Sequence, residues 1–150
     1  MKAVLKFLKG LGIFILILPF LLIVLFVLYE LVGIVVNSIA TDIQTNDVIG
    51  IVEEADCEII DSYSFTGNTG NGNHVDMLTL VIVRTENVSD LEKAISDDES
   101  IRFVILSDLD VNNSTFSYEL KEMDYPDNTD NCFLVWKCKY APFVDNIMGH

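Results

Sequence analysis

An uncharged apolar run near the N-terminus constrains this chain more than any other feature. It covers the 19 residues 11–29, LGIFILILPFLLIVLFVLY. A helix of that length measures about 28 Å, which matches the hydrocarbon thickness of a bilayer. A core helix this apolar on all sides would need more protein around it than the rest of the chain supplies. The run therefore predicts a transmembrane helix, and we expect the anchor to cover residues 11–36, with the bilayer as its partner.

A cleaved signal peptide is the alternative interpretation of this N-terminus. Residues 1–10 carry three lysines, and residues 38–40 (SIA) have the small side chains of a cleavage site. The apolar run is longer than the 7–15 residues usual in a signal peptide, which favours an uncleaved anchor. Since the lysines precede the run and acidic residues follow it, the positive-inside rule places residues 1–10 in the cytoplasm. We expect a single-pass protein of the cell membrane with its C-terminal domain outside.

The rest of the chain is strongly acidic. Residues 37–150 hold 22 acidic and six basic residues, a net charge of −16, whereas the whole chain has −14. A surface of this charge repels a phosphate backbone, so nucleic acid is excluded as a partner. The remaining candidates are an extracytoplasmic protein and a small ligand.

Apolar patterning predicts an extracytoplasmic domain over residues 47–150, joined to the anchor by a polar linker at residues 37–46. Asn46 is the expected N-cap of a first helix. The apolar residues of that helix recur at helical spacing: Val48, Ile51, Val52 and Ala55. A second helix is expected at Ser89, which has capping-box spacing with Glu92.

Five further segments have the alternating or β-branched patterns typical of strands. They are residues 57–65, 78–83, 101–106, 115–120 and 132–140. Because the second helix lies between two of them, a right-handed crossover would make those two strands parallel. The expected fold class is α+β: an N-terminal transmembrane helix, then a small domain with a roughly five-stranded sheet and one or two helices packed on one face.

The three cysteines are interpreted as small buried hydrophobic residues. Cys132 and Cys138 lie on one predicted strand, about 20 Å apart, which is too far for a disulfide. Any disulfide would therefore include Cys57, and its pairing with either later cysteine is left open. A zinc site is not expected, because the spacings lack CxxC and neither His74 nor His150 is close to a later cysteine.

The segment at residues 66–74 (TGNTGNGNH) is unusually rich in glycine and asparagine. Such a backbone can present several N–H groups to an anion. The candidate ligand-binding residues are Gly67, Gly70, Gly72, Asn73 and His74. However, the segment precedes a strand and lacks the lysine of a phosphate loop, which favours a hairpin connection with Asn71-Gly72 turn chemistry.

A hydrolytic site is a second hypothesis for this region. His74 and Asp76 lie two residues apart, and Asp61 lies on the preceding strand together with Ser62 and Ser64. A histidine, a carboxylate and a serine are the components of a nucleophilic triad. The sequence has no nucleophile elbow, and a solvated loop histidine is the simpler interpretation of His74.

A calcium site is a third hypothesis. Oxygen-bearing residues occupy the first, third, fifth and twelfth positions of a calcium-loop pattern: Asp108, Asp110, Asn112 and Glu119. The glycine usual at the sixth position is replaced by Asn113, and a strand precedes the pattern where a helix is usual. A polar turn is the favoured interpretation, with weak binding of millimolar calcium as the alternative. No other cofactor is expected.

The arrangement of a lysine-flanked span, a small acidic domain and a glycine-rich loop ending in His74 resembles small membrane-anchored bacterial proteins of unknown function. This resemblance implies a topology and carries no catalytic residues. The sequence alone therefore predicts a membrane-anchored extracytoplasmic module that acts by binding, with an anchored hydrolase or calcium-dependent protein as the alternative. No motif identifies an enzyme.

Overall fold

The computed structural model describes residues 2–68 and 74–143, with the backbone alone for residues 2–11. Two helices and four strands follow one another along the chain. They are α1 (Lys2–Glu54), β1 (Glu58–Gly67), β2 (Asp76–Arg84), α2 (Val88–Ile95), β3 (Ile101–Ile105) and β4 (Cys132–Tyr140). The class is α+β, as the patterning predicts.

Helix α1 is 53 residues long and contains the whole apolar run, including Pro19. Its most apolar 18-residue window has a mean hydropathy of 3.0, and none of that window is buried in the fold. A helix that is apolar on all sides needs protein or lipid around it, and the domain does not cover this helix. One helix of the described chain is thus long and apolar enough to cross a membrane.

The predicted helix start at Asn46 is wrong. Residues 37–46, expected to form a linker, continue α1 without a break, and Asn46 is an exposed residue inside the helix. The polar residues that suggested a linker instead form a buried row on one side of α1, where Asn37, Thr41 and Gln44 are at most 4% exposed. Asn37, Thr41 and Gln44 each form a hydrogen bond with a distant part of the chain, although Gln44 Oε1 is buried without a partner among the described residues. The row is therefore compatible with a continuous helix.

Helix α1 ends in a Schellman motif built on Asp56. The Cys57 N–H donates to Val52 O at 3.1 Å, and the Asp56 N–H donates to Glu53 O at 3.0 Å. Asp56 has a φ of 54°, the left-handed conformation that this motif requires and that glycine usually supplies. The turn directs the chain from α1 into β1.

The sheet has the order β1-β2-β4-β3, and each neighbouring pair is antiparallel. β2 and β3 therefore point in the same direction, as the helix between them predicts, but β4 separates them. The predicted strands at 57–65, 78–83, 101–106 and 132–140 are confirmed with small changes of boundary. In the described residues β1 and β3 form the two edges.

The predicted strand at 115–120 is wrong, so the sheet has four strands. This segment forms turns that lead into a 3-10 helix at Glu119–Glu122. The Leu120 N–H donates to Phe116 O at 2.9 Å, so these two apolar residues lie one turn apart and both face the sheet. The alternation in sequence arose from a turn with an apolar side.

Helix α2 begins at Val88, and its N-cap is Asn87, two residues before the predicted cap Ser89.

The two faces of the sheet are covered by different parts of the chain. On one face, α1 and α2 pack against it through buried residues such as Val48, Val52, Leu91 and Ile95. On the other face, the segment between β3 and β4 covers the sheet with Leu106, Leu120 and Met123. Both helices thus lie on a single face of a sheet that is buried on both sides.

Candidate functional site

A row of buried polar residues joins α1 to the sheet. Glu30, Asn37, Thr41 and Gln44 are between 0% and 5% exposed. Residues three, four or seven positions apart lie on the same side of a helix, so all four face the domain. A buried polar group is costly unless it is hydrogen-bonded, and the contacts of this row therefore define how the helix and the sheet fit together.

The lower part of the row holds the segment that follows β4. Asn37 Nδ2 donates to Phe143 O at 2.9 Å, and the Phe143 N–H donates to Asn37 Oδ1 at 2.9 Å. The Phe143 ring also packs against Tyr29, with ring centroids 4.9 Å apart. Tyr29 is the last residue of the apolar run, so this segment reaches the predicted membrane boundary.

The upper part of the row contacts three strands: β1, β2 and β4. Gln44 Nε2 lies 3.0 Å from Met77 O, 3.2 Å from Thr79 Oγ1 and 3.3 Å from Lys137 O. Thr41 Oγ1 lies 2.6 Å from Thr66 Oγ1 at the end of β1. Since all these partners are at the same end of the sheet, α1 holds that end next to the apolar run and leaves the other end furthest from it.

A partly buried ion pair stabilises the same face of the sheet. Lys137 Nζ lies 2.6 Å from Asp98 Oδ2, and Lys139 Nζ lies 4.0 Å from that oxygen. The hydrogen bonds from Lys137 and Ser100 hold the pKa of the Asp98 carboxyl well below its usual range. Lys137 is only 6% exposed, and its pairing with Asp98 satisfies a buried charge.

An acidic surface lies on the opposite face of the sheet. Residues 106–131 contain seven carboxylates and a single basic residue, Lys121. Along β1 this segment borders a groove of about 490 Å³. Its lining combines aromatic rings with carboxylates: Tyr63, Phe65, Tyr118, Glu119, Lys121 and Glu122. We call this the β1 groove.

Aromatic and acidic groups lie close together in the β1 groove. Tyr118 is 81% exposed, and Lys121 Nζ lies over its ring, 5.8 Å from the centroid. Burial, together with the negative charges of Glu119 and Glu122, raises the pKa of Tyr63. Aromatic ring faces and carboxylates both attract cations, and Lys121 of the same chain already lies over the ring of Tyr118.

The predicted catalytic residues do not all come together. His74 is exposed and its ring packs on Tyr140, with centroids 5.0 Å apart. Asp76 is only 2% exposed and pairs with Gly67, whereas Asp61 pairs with Ile82. Six residues along a strand separate Asp61 from the level of Asp76, about 20 Å. The hydrolase hypothesis is therefore reduced to His74 and Asp76.

Asp61 has a structural role in the described chain. Its Oδ1 accepts from the Ser62 N–H at 2.8 Å, and its Oδ2 accepts from the Asp124 N–H at 2.8 Å. The second bond fixes the segment after the 3-10 helix to β1. Asp61 thus helps to hold the segment that borders the β1 groove.

Of the predicted anion-binding residues, Gly70, Gly72 and Asn73 lie outside the described residues. Gly67 ends β1, and a Cβ placed on it would lie 2.5 Å from Phe65 Cζ. Its lack of a side chain is what allows the Phe65 ring to fold over the strand. The antiparallel pairing of β1 with β2 agrees with the hairpin interpretation of this loop.

The residues of the calcium hypothesis lie in two places: Asp108, Asp110 and Asn112 follow β3, whereas Glu119 lines the β1 groove. Asp110 Oδ1 accepts from the backbone of Asn112, and Asn113 Nδ2 donates to Asp110 Oδ2 at 2.6 Å. The bond from Asn113 lowers the pKa of Asp110. Among the described residues, no group of three His, Cys, Asp or Glu side chains is arranged to hold a metal, Asp108 and Glu119 included.

The three cysteines are thiols. Cys57 packs with the helices, whereas Cys132 and Cys138 pack on the other face of the sheet. Burial raises the pKa of the Cys57 thiol. The interpretation of all three as small apolar residues fits this packing, although Cys138 is only half-buried.

Sequence reasoning missed the buried row on α1. Its polar residues recur every three, four or seven positions from Glu30 onward. That periodicity is helical, and it continues beyond the apolar run, so it is a signal of the longer helix.

No protein-family model, no curated protein and no solved structure matches this chain.

Proposed function

We propose that this protein is a single-pass membrane-anchored module that displays its acidic domain outside the cytoplasm and binds a cationic segment of a partner protein. The observation that carries this proposal is the β1 groove, where Tyr63, Phe65 and Tyr118 lie beside two carboxylates. Carboxylates bind lysine and arginine through charge-assisted hydrogen bonds, and aromatic faces attract the same cations.

The anchor gives the groove a defined position. α1 continues from the apolar run into the domain, and Asn37, Thr41 and Gln44 are hydrogen-bonded to the sheet or the segment after it. A flexible linker would let the domain move freely, whereas this connection holds it close to the membrane. With residues 1–10 in the cytoplasm, the domain faces outward.

Charge supports a cationic partner. Residues 37–150 carry a net charge of −16, and the segment beside the groove carries −6. A field of this sign raises the local concentration of cationic ligands and speeds their encounter. The edge strand β1 also offers backbone groups to an extended segment, which is a common mode of peptide binding.

Binding of oligolysine tests the proposal. The full chain in lipid nanodiscs is titrated with a ten-residue oligolysine peptide by calorimetry, and with oligoglutamate for comparison. We expect the double variant Glu119→Gln and Glu122→Gln to bind oligolysine about five-fold more weakly, because two exposed ion pairs are lost. The matched control is Glu92→Gln with Glu99→Gln, which removes the same charge from exposed residues near α2.

The two variants separate specific binding from general attraction. The control should retain oligolysine affinity within about two-fold of the unmodified chain. Equal losses in both variants would reduce the effect to overall charge and contradict a site in the β1 groove. No heat with oligolysine at low salt would contradict the cationic partner itself.

A further inference from the structure

Helix α1 has an apolar face on the side opposite its buried polar row. Beyond Glu30, the residues of this outer face are about half exposed: Val32 52%, Val35 57%, Ile39 54% and Ile43 56%. They lie about half a turn around the helix from Asn37 and Gln44, which face the sheet. The domain therefore leaves this face uncovered along the part of α1 to which it is attached.

A bilayer is too thin to cover the whole outer face. On the side that faces the domain, apolar surface ends at Glu30, but on the outer side it continues without a charge to Ile39, about 14 Å further. From Gly12 to Ile39 the outer face measures about 40 Å. A hydrocarbon core of about 30 Å covers about 32 Å of helix at the usual tilt of about 20°. Part of this face must find another apolar partner or stay in water.

The spacing of the outer face fits a second copy of the chain. Its residues are separated by four, three, four, three and four positions: Leu21, Leu25, Leu28, Val32, Val35 and Ile39. This is the heptad seam of a left-handed coiled coil, and it is complementary to an identical helix in the same register. We propose that two copies of the chain pair in parallel through this seam, both within the membrane and above it.

The geometry of the domain allows this pairing. The sheet packs on the side of α1 that bears Asn37 and Gln44, so the two domains would lie on the outer flanks of the helix pair. A common direction of insertion makes the helices parallel. The next seam position is Asp42, where two like charges would face each other, so the seam ends at Ile39.

The area of the seam is sufficient for a stable pair. If each half-exposed side chain contributes about 80 Å², six positions in each of two helices form a contact of roughly 1,000 Å², the size at which an interface becomes credible. Within the membrane this contact stabilises the pair through close packing, because lipid chains are as apolar as the seam. Confinement of both copies to one membrane also favours their encounter. Repulsion between the acidic domains acts at the flanks and is screened by salt over about 8 Å.

Cysteine crosslinking in membranes tests the pairing, which rests on the proposed membrane anchor. Val32→Cys, Val35→Cys and Ile39→Cys are oxidised separately, and Ser38→Cys is the matched control because it is exposed beside the seam on the same turn. The chain with its native thiols gives the background. We expect disulfide-linked dimers at the three seam positions, at least five-fold above the Ser38→Cys level.

The outcomes separate the pairing from the anchor. Membrane-bound chains that crosslink equally at Ser38→Cys and Ile39→Cys, or at no position, would overturn the pairing alone. Chains recovered outside the membrane fraction would contradict both the anchor and the pairing.

A charge variant gives a second, independent measurement. Ile39→Glu places like charges across the seam, whereas Ser38→Glu adds the same charge beside it. Sedimentation in detergent micelles should give a dimer for the unmodified chain and for Ser38→Glu, and a monomer for Ile39→Glu. A monomer in all three, or a dimer in all three, would overturn the proposal.

Discussion

The side-chain amide of Asn37 forms two hydrogen bonds of 2.9 Å with the backbone of Phe143, which lies 106 residues later in the chain. An amide group can imitate the backbone of a neighbouring strand, since it offers one donor and one acceptor side by side. This pair joins the start of the docked part of α1 to the segment after β4. It also carries the Phe143 ring to Tyr29 at the end of the apolar run.

Replacing Asn37 with aspartate should destabilise the domain. The carboxylate keeps an acceptor for the Phe143 N–H but places a negative charge against the Phe143 carbonyl oxygen, in a site that is fully buried. We expect a loss of about 3 kcal/mol in the free energy of unfolding, measured by denaturant titration in micelles. The control is Asn46→Asp on the exposed side of the same helix. Equal effects at the two positions would contradict the pairing.

The stability of the domain should fall in acid partly because of Asp98. The hydrogen bonds from Lys137 and Ser100 lower the pKa of this carboxyl in the folded state. A group with a lowered folded pKa contributes stability above its unfolded pKa, about 4, and loses it as the pH falls towards the folded pKa. Asp98→Asn should therefore be less stable than the unmodified chain at pH 7, and this difference should shrink below about pH 4.

The neighbouring exposed residue Asp97 supplies the control for this acid dependence. Asp97→Asn should show the same pH profile of thermal unfolding as the unmodified chain. A difference between Asp98→Asn and the unmodified chain that stays constant from pH 7 to pH 2 would show that the ion pair with Lys137 does not contribute.

Glycine at position 56 should stabilise the protein. Asp56 has a φ of 54°, which costs a residue with a Cβ atom about 1 kcal/mol relative to glycine. Asp56→Gly should raise the free energy of unfolding by about that amount. Asp47→Gly, within α1, should lower it by about 1 kcal/mol, because glycine is unfavourable inside a helix. Changes of the same sign in both variants would contradict the helix end described for α1.

The three thiols should react at different rates. Cys138 is half-buried, whereas Cys57 and Cys132 are buried and the pKa of Cys57 is raised by that burial. Because the thiolate is the reactive form, a maleimide should modify Cys138 first in the native chain. Mass spectrometry of peptides after timed labelling measures the order. Labelling of Cys57 before Cys138 would show that the helix-side core opens more readily than its packing indicates.

The orientation of the domain is open to a protease test in intact cells. With residues 1–10 in the cytoplasm, an added protease should degrade residues 37–150 and leave the anchor protected. Inverted membrane vesicles provide the control, because there the domain is enclosed and should survive. Protection in intact cells with degradation in inverted vesicles would reverse the proposed topology.

The strand pattern was largely predictable from sequence. The β-branched run at 78–83 lies in β2, which is buried on both faces, and the predicted strand at 132–140 coincides with β4. The segment at 115–120 was not predictable in this way, because its alternating Phe116 and Leu120 also fit one turn of a tight helix. For so short a segment, only packing against the sheet decides between the two conformations.

The candidate site was less predictable than the fold. Glu119 belongs to the calcium pattern in sequence, but Tyr63 and Phe65, which share the β1 groove with it, come from strand β1, more than 50 residues away. Asp61 and His74 are 13 residues apart in sequence, yet the hairpin register sends them to different levels of the sheet. Closeness in sequence therefore suggested a catalytic site that the fold divides, and it gave no indication of the β1 groove.

The sequence by itself determined that the chain has a membrane-length apolar helix and an acidic α+β domain, because hydrophobic length and net charge are sums over local residues. Only the tertiary structure decided that residues 37–46 are helical. In sequence, the polar side chains of Asn37 and Gln44 are typical of a solvent-exposed linker. In the fold these side chains are buried in a helix, where Phe143, Met77 and Lys137 form hydrogen bonds with them. A buried polar group depends on partners that are distant in sequence, so its role becomes visible only when the fold brings them together.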